Sequence, residues 1–457
     1  MSLDSPPPTS LDDRLWELAR PSPRDSRPTL NRMRQLLELL GNPQDDLAAV
    51  QVGGTSGKGS TCHLLAAILH AAGYPVGLHT KPHLATVRER MMLSNAPIPA
   101  QDLAKILGDV TPVLSGSAWP EGRPTWFELV VALTFVWFRE RQARPAVVEV
   151  GLGGTWDATC VLQPLVSILT NVGLDHTEIL GDTVEAIAAD KVGILKTGGI
   201  AITGAQQATV LAIIERRASS LQAPLWRLGQ EIAVRIHAVH EHGARFDLDL
   251  PGASFHDITI GLLGRHQVDN AALAIAAAVA LTARGFPISE DALREGLANC
   301  RVPGRLERVA GAPEVLLDGA HNPEKMTALA AALRLLAPTT PPVCLVAMRR
   351  GHDIAGTLKP LLAVASTLVF TQISAGTDWG REQSVDPSEL QHAVKEVATI
   401  PTSIQADPAA ALEQARTIAG PKGLVCVTGS LYLVGQVRAM LGDAAGTHLA
   451  YSGGKGA

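Results

Sequence analysis

The stretch Val52–Thr61, which reads VGGTSGKGST, decides the fold of the first part of this chain. The apolar residues Ala49 to Val52 indicate the end of a buried strand, and His63 to Ala72 indicate an apolar helix. The glycines therefore lie at a strand-to-helix turn, where backbone N–H groups converge on an anion. The stretch predicts a loop that binds nucleotide phosphates, and an ATP-driven reaction is the first hypothesis.

The residue types in this loop suit different parts of a triphosphate. Gly54 and Gly57 let the backbone turn tightly and approach phosphate oxygens. Lys58 would reach the outer phosphates. Ser60 or Thr61 would offer a hydroxyl to Mg²⁺.

The spacing of the loop departs from the common P-loop. That pattern needs glycine five residues before Gly57, where this chain has Val52. It also needs Ser or Thr directly after Lys58, where this chain has Gly59. The alternative to a nucleotide loop is a glycine-rich turn with a surface lysine.

Length and composition exclude several classes of protein. The 457 residues suggest about two domains, and the net charge of -5 with dispersed basic residues argues against nucleic acid as a partner. The start lacks the pattern of a signal peptide and the apolar runs are too short to span a bilayer, so we expect a cytoplasmic protein without a membrane partner. The five cysteines have no CxxC pair and are interpreted as free core thiols: Cys62, Cys160, Cys300, Cys344 and Cys426.

Alternating apolar strands and helices predict an α/β fold. We expect a P-loop parallel-sheet ATPase domain followed by a smaller, doubly wound, Rossmann-like C-terminal domain. Strands are predicted at 146–150, 165–171, 315–317, 343–347, 367–370 and 424–427, and helices at 30–40, 183–195 and 270–283. The predicted organisation is a flexible segment 1–28, an ATP-binding domain 29–300, a linker 301–304, a C-terminal domain 305–443 and a disordered tail 444–457.

Two polar residues at predicted strand ends are candidate Mg²⁺ ligands. Glu149 lies inside an apolar strand, where an ionised carboxylate must be compensated. His176 follows the next strand, at the sheet edge where open α/β folds bind ligands. The alternatives are a buried ion pair for Glu149 and a capping or core role for His176.

Lys191 lies in a mostly apolar helical stretch, where an unpaired ammonium is costly. It could pair with Asp190 or Glu185. Its neutral amine could instead be carbamylated and become an anionic metal ligand. Periodicity does not choose between these.

Polar residues later in the chain offer further ligand contacts. The stretch 264–270 puts several hydrogen-bonding side chains before an alanine-rich helix, and this could receive a nucleotide base. Arg305 follows the predicted linker, and Asp318 and His321 end a strand as the earlier motifs do. Taken singly, each of these residues is better explained as a helix cap or a turn residue than as a ligand contact.

Together these residues resemble folylpolyglutamate synthase and dihydrofolate synthase, the folate branch of the Mur ligase family. The resemblance runs from about Leu30 to Gly435, and its motifs form a specific set. The matching stretches are Gly54–Thr61, Thr80–Leu84, Thr125–Glu128, Glu149–Gly154, Leu174–Thr177, Asp190–Ile194, His266–Gln267, Asn270–Ala272, Pro303–Glu307, Asp318–Pro323 and Thr428–Tyr432.

The resemblance implies roles for individual residues. Catalytic roles would fall to Lys58, Lys191 and His321. ATP would contact Thr55, Ser56, Gly57, Lys58, Gly59, Ser60 and Asn270, with Arg305 and Asp318 reaching it from across an interdomain cleft. Glu149, His176 and Ser60 would hold one Mg²⁺, and a carbamylated Lys191 would help to hold a second. The pterin-bearing substrate would lie near Thr125, Trp156, Asp157 and Ala158, and the incoming glutamate near His321 and Ser430.

The implied reaction is the ATP-dependent addition of L-glutamate to dihydropteroate, to tetrahydrofolate (poly)glutamates, or to both. ATP phosphorylates the substrate carboxylate, and the amine of glutamate then attacks the acyl phosphate. The products are ADP, phosphate and an amide, and the cofactors are ATP and Mg²⁺. The family also implies a monomer.

The chain departs from the family at several places. Lys81 stands where the family has a serine that ligates Mg²⁺, and an ammonium cannot ligate a cation. Thr155, Trp156 and Cys160 replace arginine, leucine and asparagine near the expected pterin pocket. In the second domain, Gly351-His352-Asp353 replaces Asp-Lys-Asp. We therefore expect an altered first metal site.

Three alternative functions compete with this interpretation. Other Mur ligases carry a sizeable domain before the phosphate loop, and about fifty residues are too few for one. A diverged paralogue would join an amino acid to a non-folate carboxylate. A nucleotide-binding protein that has lost catalysis would act in regulation or assembly.

Overall fold

The computed structural model describes residues 11–19, 29–373 and 384–444, which form two compact units. The first unit comprises residues up to 234 together with 248–255 and 269–297. The second comprises 235–247, 256–268 and the residues from 298 onward. The division thus differs from the predicted boundary at 301–304, because two stretches inside the predicted domain 29–300 group with the second unit.

A helix, α1 (Leu11–Leu18), lies within the predicted flexible segment 1–28. Leu15 is fully buried, and the Trp16 ring stacks on Trp126 with centroids 5.3 Å apart. The structure therefore differs from the prediction over this helix, because its apolar face packs against the core. The rest of segment 1–28 lies outside the described residues, as does the predicted tail after residue 444.

The central strands of the first unit are short, apolar and fully buried, as expected for a parallel sheet covered on both faces. Strands β1 (Ala49–Gly53), β2 (Gly77–His79), β3 (Met92–Leu93), β4 (Ala96–Pro97), β5 (Ala146–Glu149), β6 (Val166–Leu169), β7 (Ile200–Thr203) and β8 (Leu225–Arg227) form an eight-stranded sheet among the described residues. Its order is β4-β3-β2-β5-β1-β6-β7-β8, and the pairs from β2 to β8 are parallel. The carboxyl ends of β2, β5, β1 and β6 therefore meet at one edge.

Apart from the short helix 177–180, which has no buried residue, the helices in the first part of the chain bury apolar faces. The predicted helix 183–195 is divided into a helix (Val184–Lys191) and a 3₁₀ turn at 192–194. After α1, the helices are α2 (Asn31–Leu39), α3 (Lys58–Ala71), α4 (Ala100–Gly116), α5 (Trp126–Glu140), α6 (Thr177–Leu180), α7 (Val184–Lys191), α8 (Ala208–Ser220), α9 (His266–Thr282) and α10 (Glu290–Asn299).

A three-stranded sheet between residues 233 and 260 was not predicted. Its strands are β9 (Ala233–His240), β10 (Gly243–Leu250) and β11 (Ala253–Ile260), in the order β11-β10-β9. Burial alternates along β10, where Phe246 and Leu248 are buried and Arg245 is exposed. The matching alternation of apolar and polar residues in the sequence is the pattern that indicates a half-buried strand.

The second unit has its own parallel sheet. Strands β12 (Glu307–Val309), β13 (Glu314–Leu317), β14 (Val343–Val346), β15 (Thr367–Phe370), β16 (Thr402–Ile404) and β17 (Leu424–Thr428) form a six-stranded sheet in the described part of the chain, in the order β12-β13-β17-β14-β15-β16. Its neighbours are parallel apart from the antiparallel pair β12–β13. Its helices are α11 (Pro323–Leu336), α12 (Ile354–Leu362), α13 (Pro387–Lys395), α14 (Pro408–Ala419) and α15 (Leu431–Ala444).

These sheets confirm the predicted α/β fold class with two parallel-sheet bodies. Over residues 11–19, 29–373 and 384–444, no helix has the length and apolar character needed to cross a membrane.

Candidate active site

The predicted phosphate loop joins β1 to α3 at the carboxyl edge of the first sheet. Gly54 has φ of 134° and Gly57 has φ of 84°, both in the region that favours glycine. A Cβ added at Gly54 would lie 2.0 Å from Thr170 Oγ1. The glycines are therefore required for this backbone path against the end of β6.

Asn171, two residues after β6, holds the loop from the neighbouring strand. Asn171 Oδ1 accepts hydrogen bonds from the backbone N–H of Ser56 at 2.7 Å and of Thr55 at 3.2 Å. Thr55 Oγ1 donates to the carbonyl oxygen of Gly173 at 3.1 Å and accepts from its N–H at 3.0 Å. Thr55 and Ser56 thus tie the loop to the segment that leads to His176.

Two lysines meet at one backbone oxygen of the loop. Lys58 Nζ donates to the carbonyl oxygen of Gly54 at 2.8 Å, and Lys191 Nζ donates to the same oxygen at 3.1 Å. Lys191 is 5% exposed, and burial, followed by the charge of Lys58, lowers its pKa to about 7. A large fraction of Lys191 is therefore uncharged near neutral pH.

Glu149 ends β5 next to the start of α3. Its Oε2 accepts a 3.1 Å hydrogen bond from the backbone N–H of Lys81, which follows β2. A Cβ added at Gly59 would lie 3.5 Å from the same oxygen. The buried carboxylate of Glu149 therefore lies beside the loop, within van der Waals contact of the position that a side chain at residue 59 would occupy.

His176 lies just before α6, with a positive φ of 53°. Its side chain is 42% exposed, and Asp175 and Glu178 flank the ring at 3.9 Å and 3.8 Å. Burial lowers the pKa of His176 to about 4. The charge of Asp175 opposes this shift, and the cations Lys81 and Lys58 add to it. The imidazole is therefore neutral at pH 7, which is the state that binds metals.

The side chains at this edge fit a divalent cation in part. A buried carboxylate, Glu149, and a neutral imidazole, His176, are suitable ligands. Within the described ranges, however, no group of three or more His, Cys, Asp or Glu side chains is placed to hold a metal ion. Lys81 is not a ligand, and its charge lowers the pKa of both His176 and Lys191.

Asn270 and Asp157 shape the loops of the first unit. Asn270 is buried in α9, and its Oδ1 would lie 2.3 Å from a Cβ added at Gly57, so it contacts the phosphate loop. Asp157 Oδ2 accepts from the N–H of Leu152 at 2.8 Å, and Oδ1 accepts from the N–H of Thr159 at 3.0 Å. Asp157 therefore fixes the glycine-rich turn after Glu149.

Thr125 caps α5. Its Oγ1 accepts from the N–H of Glu128 at 3.2 Å, and Glu128 Oε2 accepts from the N–H of Thr125 at 2.7 Å. Arg32 pairs with Glu128 at 3.1 Å. The Thr125 side chain thus has a structural role in this capping box.

Trp156 offers apolar surface near these loops. It is 53% exposed, and Leu174 and Ile179 are also exposed, whereas the neighbouring Ala158 is buried. Thr155 beside it is anchored, because its Oγ1 donates to the Asp190 carbonyl oxygen at 2.7 Å. An exposed indole on a fixed turn suits contact with a planar, apolar ligand.

In the second unit, Asp318 is buried after β13 and joins two backbone segments. Its carboxylate accepts from the N–H of Leu306 and of Ala320, each at 2.9 Å. Burial raises the pKa of Asp318, and the charge of Arg305 opposes this shift. Ser430 is also buried, and its Oγ accepts from the N–H of Tyr432 at 3.2 Å.

The structure brings several predicted residues of the first unit together: Gly54, Gly57, Lys58, Gly59, Glu149, Lys191 and Asn270. It also shows a residue that the sequence reasoning missed. Asn171 binds the loop backbone, and its signal was its place at the end of the predicted strand 165–171, much as Glu149 lies near the end of the predicted strand 146–150.

Comparisons with known proteins agree with this architecture. The Mur ligase middle domain matches residues 52–278, and the C-terminal domain of dihydrofolate synthetase matches residues 306–440. A dihydrofolate synthase/folylpolyglutamate synthase of Bacillus subtilis is 32% identical over 418 residues, which cover 91% of this chain and 95% of the relative.

Solved structures are similar over almost the whole length. Mycobacterium tuberculosis folylpolyglutamate synthase, complexed with ADP and AMPPCP, has a TM-score of 0.83 at 30% identity, covering 92% of this chain and 96% of its own. Escherichia coli FolC, in complex with DHPP and ADP, has a TM-score of 0.83 at 27% identity, covering 97% and 100%. With its phosphate loop, two parallel sheets and both family domains, this chain belongs to the folylpolyglutamate synthase and dihydrofolate synthase family of Mur ligases.

Proposed function

We propose that this protein is an ATP-dependent ligase that adds L-glutamate to dihydropteroate, to tetrahydrofolate (poly)glutamates, or to both. The observation that carries this proposal is the convergence of Lys58 and Lys191 on the Gly54 carbonyl of the phosphate loop. Two lysine side chains beside a glycine-rich loop suit the transfer of a phosphoryl group.

The chemistry explains why such a site uses ATP. A carboxylate is a poor electrophile until one oxygen becomes a leaving group. Phosphorylation supplies that group, and the amine of glutamate then attacks the acyl carbon while phosphate leaves. Lys58 would neutralise charge on the phosphates, and Asn270 would lie near the base. The protein contributes mainly charge neutralisation and alignment.

Mg²⁺ is part of the proposal. Glu149, His176 and the hydroxyl of Ser60 would hold one cation, and Lys191, if carbamylated, would help to hold a second. The cations would neutralise charge on the phosphates. A neutral, buried Lys191 amine supports carbamylation, because an ammonium does not react with carbon dioxide. Lys81 supports an altered first metal site, because its ammonium stands where the family has a serine ligand.

Other assignments follow the resemblance and remain predictions. In the first unit, Thr55, Ser56, Gly57, Gly59 and Ser60 would contact ATP, and Thr125, Trp156, Asp157 and Ala158 would line the substrate site. In the second unit, Arg305 and Asp318 would contact ATP, and His321 and Ser430 would contact glutamate. A monomeric state and a cytoplasmic location also stay predictions.

The deciding experiment supplies the purified chain with ATP, Mg²⁺, glutamate and either dihydropteroate or a reduced folate. We expect a product whose mass increases by one glutamyl residue, together with ADP. Which acceptor reacts separates the two synthase activities.

A second candidate is a ligase for a non-folate carboxylate, favoured by Lys81, Thr155 and the exposed Trp156. No glutamylated product from either acceptor, combined with ATP hydrolysis stimulated by another carboxylate, would favour it. A protein without any ATP turnover would instead be a nucleotide-binding protein that has lost catalysis.

A further inference from the structure

A lysine on the first turn of α11 contacts His321 in the second unit. Lys325 Nζ lies 3.0 Å from His321 Nε2, and His321 Nδ1 lies 2.7 Å from the carbonyl oxygen of Gly319. Because a carbonyl oxygen only accepts, Nδ1 carries the hydrogen and donates it. Nε2 then accepts from the ammonium, so the imidazole is neutral and held in one tautomer.

The surroundings keep His321 in that state. The ring is only partly exposed, and burial, followed by the charge of Lys325, lowers the pKa of His321 well below its ordinary value. The ring of His352, from the loop after β14, lies 5.5 Å from that of His321. A second imidazole and an ammonium thus flank this histidine.

The backbone of Lys325 is fixed by the start of α11. Asn322 caps the helix, and its Oδ1 accepts from the N–H of Lys325 at 2.9 Å. A cation in the first helical turn opposes the helix dipole, so this position disfavours lysine on stability grounds. A bound anion would remove that penalty.

The sheet register brings candidate amino-acid contacts to the same edge. Strands β13 and β14 both pair with β17 in parallel, so their carboxyl ends are neighbours. His321 follows β13, His352 follows β14 and Ser430 follows β17. Lys325 therefore contributes a cation beside His321, which is assigned above, together with Ser430, to the incoming amino acid.

We propose that Lys325 is a specificity and positioning residue, whose ammonium pairs with a carboxylate of the incoming amino acid and fixes the tautomer of His321. An ammonium donates up to three hydrogen bonds, so it can hold an imidazole and a carboxylate together. This inference rests on the function proposed above, because it takes glutamate as the amine substrate.

The kinetic test compares the full-length wild type with Lys325→Met under saturating ATP, Mg²⁺ and acceptor. The variant raises the KM for glutamate about 10- to 100-fold and weakens the preference for glutamate over glutamine or over its α-amide. The KM for ATP stays within about twofold. An unchanged glutamate KM, or a fall in kcat alone, overturns the proposal.

Two matched variants separate the role of Lys325 from a structural one. Lys325→Arg keeps the charge and restores most of the glutamate affinity. Lys359→Met removes an exposed lysine from α12 of the same unit and leaves every constant unchanged. Failure of Lys325→Arg to improve on Lys325→Met contradicts a charge-based role.

A protection measurement needs no turnover. In wild-type protein loaded with a non-hydrolysable ATP analogue, glutamate slows acylation of Lys325 at least about fivefold relative to Lys359, as mapped by mass spectrometry, and leucine does not. Equal acylation with and without glutamate overturns the inference. If the wild type glutamylates neither acceptor, the proposed function fails, and this measurement still decides whether Lys325 binds an acidic amino acid.

Discussion

Lys191 donates a 3.1 Å hydrogen bond from its Nζ to the carbonyl oxygen of Gly54, although 137 residues separate the two in sequence. The contact joins the end of α7 to the loop after β1. It places a buried amine, with a pKa lowered to about 7, beside the predicted phosphate site.

We expect this amine to form a carbamate. Protein equilibrated with ¹³C-bicarbonate should show a carbamate resonance by ¹³C NMR that is absent from Lys191→Arg, because a guanidinium stays protonated. The same variant should lose about 100-fold or more in kcat/KM. Lys196→Arg, at a partly buried lysine nearby, should keep both properties. A wild-type spectrum without the resonance contradicts carbamylation.

Gly54→Ala should weaken nucleotide binding without unfolding the protein. The new Cβ would meet Thr170 Oγ1 at 2.0 Å and would require a positive φ, so the loop must move. We expect the Kd for ATP, measured by calorimetry, to rise about 100-fold. The matched control is Gly73→Ala, which has φ of 86° but no atom within 4 Å of the added Cβ. Equal ATP affinity in the two variants would contradict the proposal that this loop binds ATP.

Lys81→Ser should change the dependence on Mg²⁺. Replacing the ammonium removes a charge near His176 and introduces a hydroxyl that can ligate a cation. We expect half-maximal activity at an Mg²⁺ concentration about tenfold lower, and tighter Mn²⁺ binding by electron paramagnetic resonance. Lys105→Ser, at an exposed lysine, is the control. Identical Mg²⁺ and Mn²⁺ titrations for Lys81→Ser and the wild type would remove the idea of an altered metal site.

Glu231→Gln should make the stability of the first unit less dependent on acid pH. Arg227 binds Glu231 at 2.6 Å and holds the pKa of that carboxyl at about 2, below its ordinary value of 4.5. The pair therefore stabilises the fold fully above pH 4.5, and its contribution is lost as the pH falls towards 2. With partial exposure of both side chains, we expect a loss of about 1 kcal/mol at pH 7.

Urea unfolding at several pH values measures the difference in the free energy of unfolding between the wild type and Glu231→Gln. It should shrink below pH 4.5 and disappear as the pH falls below about 2. Glu413→Gln, at a side chain that is 69% exposed, should show almost no difference at any pH. A Glu231→Gln difference that is constant from pH 7 to pH 2 contradicts the ion-pair explanation.

Local patterns in the sequence were sufficient for the phosphate loop and the fold class. Apolar runs and glycines between 49 and 72 predicted the strand, turn and helix that the structure contains. The strand 367–370 has the predicted bounds, and the strand predicted at 424–427 extends by one residue. Such features depend on residues close in sequence, which is why periodicity and turn chemistry reveal them.

Local sequence patterns could not predict the contacts between residues far apart in the chain. From the sequence, Lys191 could pair with Asp190, pair with Glu185 or be carbamylated. In the structure, α7 packs beside the phosphate loop, and the Lys191 amine donates to the carbonyl oxygen of Gly54. Asn171 contacts the loop because β6 lies beside β1 in parallel register. The helix α1 is ordered because Leu15 and Trp16 pack on distant residues.

The sequence by itself determined the phosphate loop, the parallel sheets and the family, because these rest on local residue order. Only the tertiary structure decided which side chains meet: Lys58 with Lys191 at Gly54, Glu149 with the backbone of Lys81, and His321 with Lys325. The physical reason is that strand register and helix packing, set by the whole core, bring together groups that no local pattern relates.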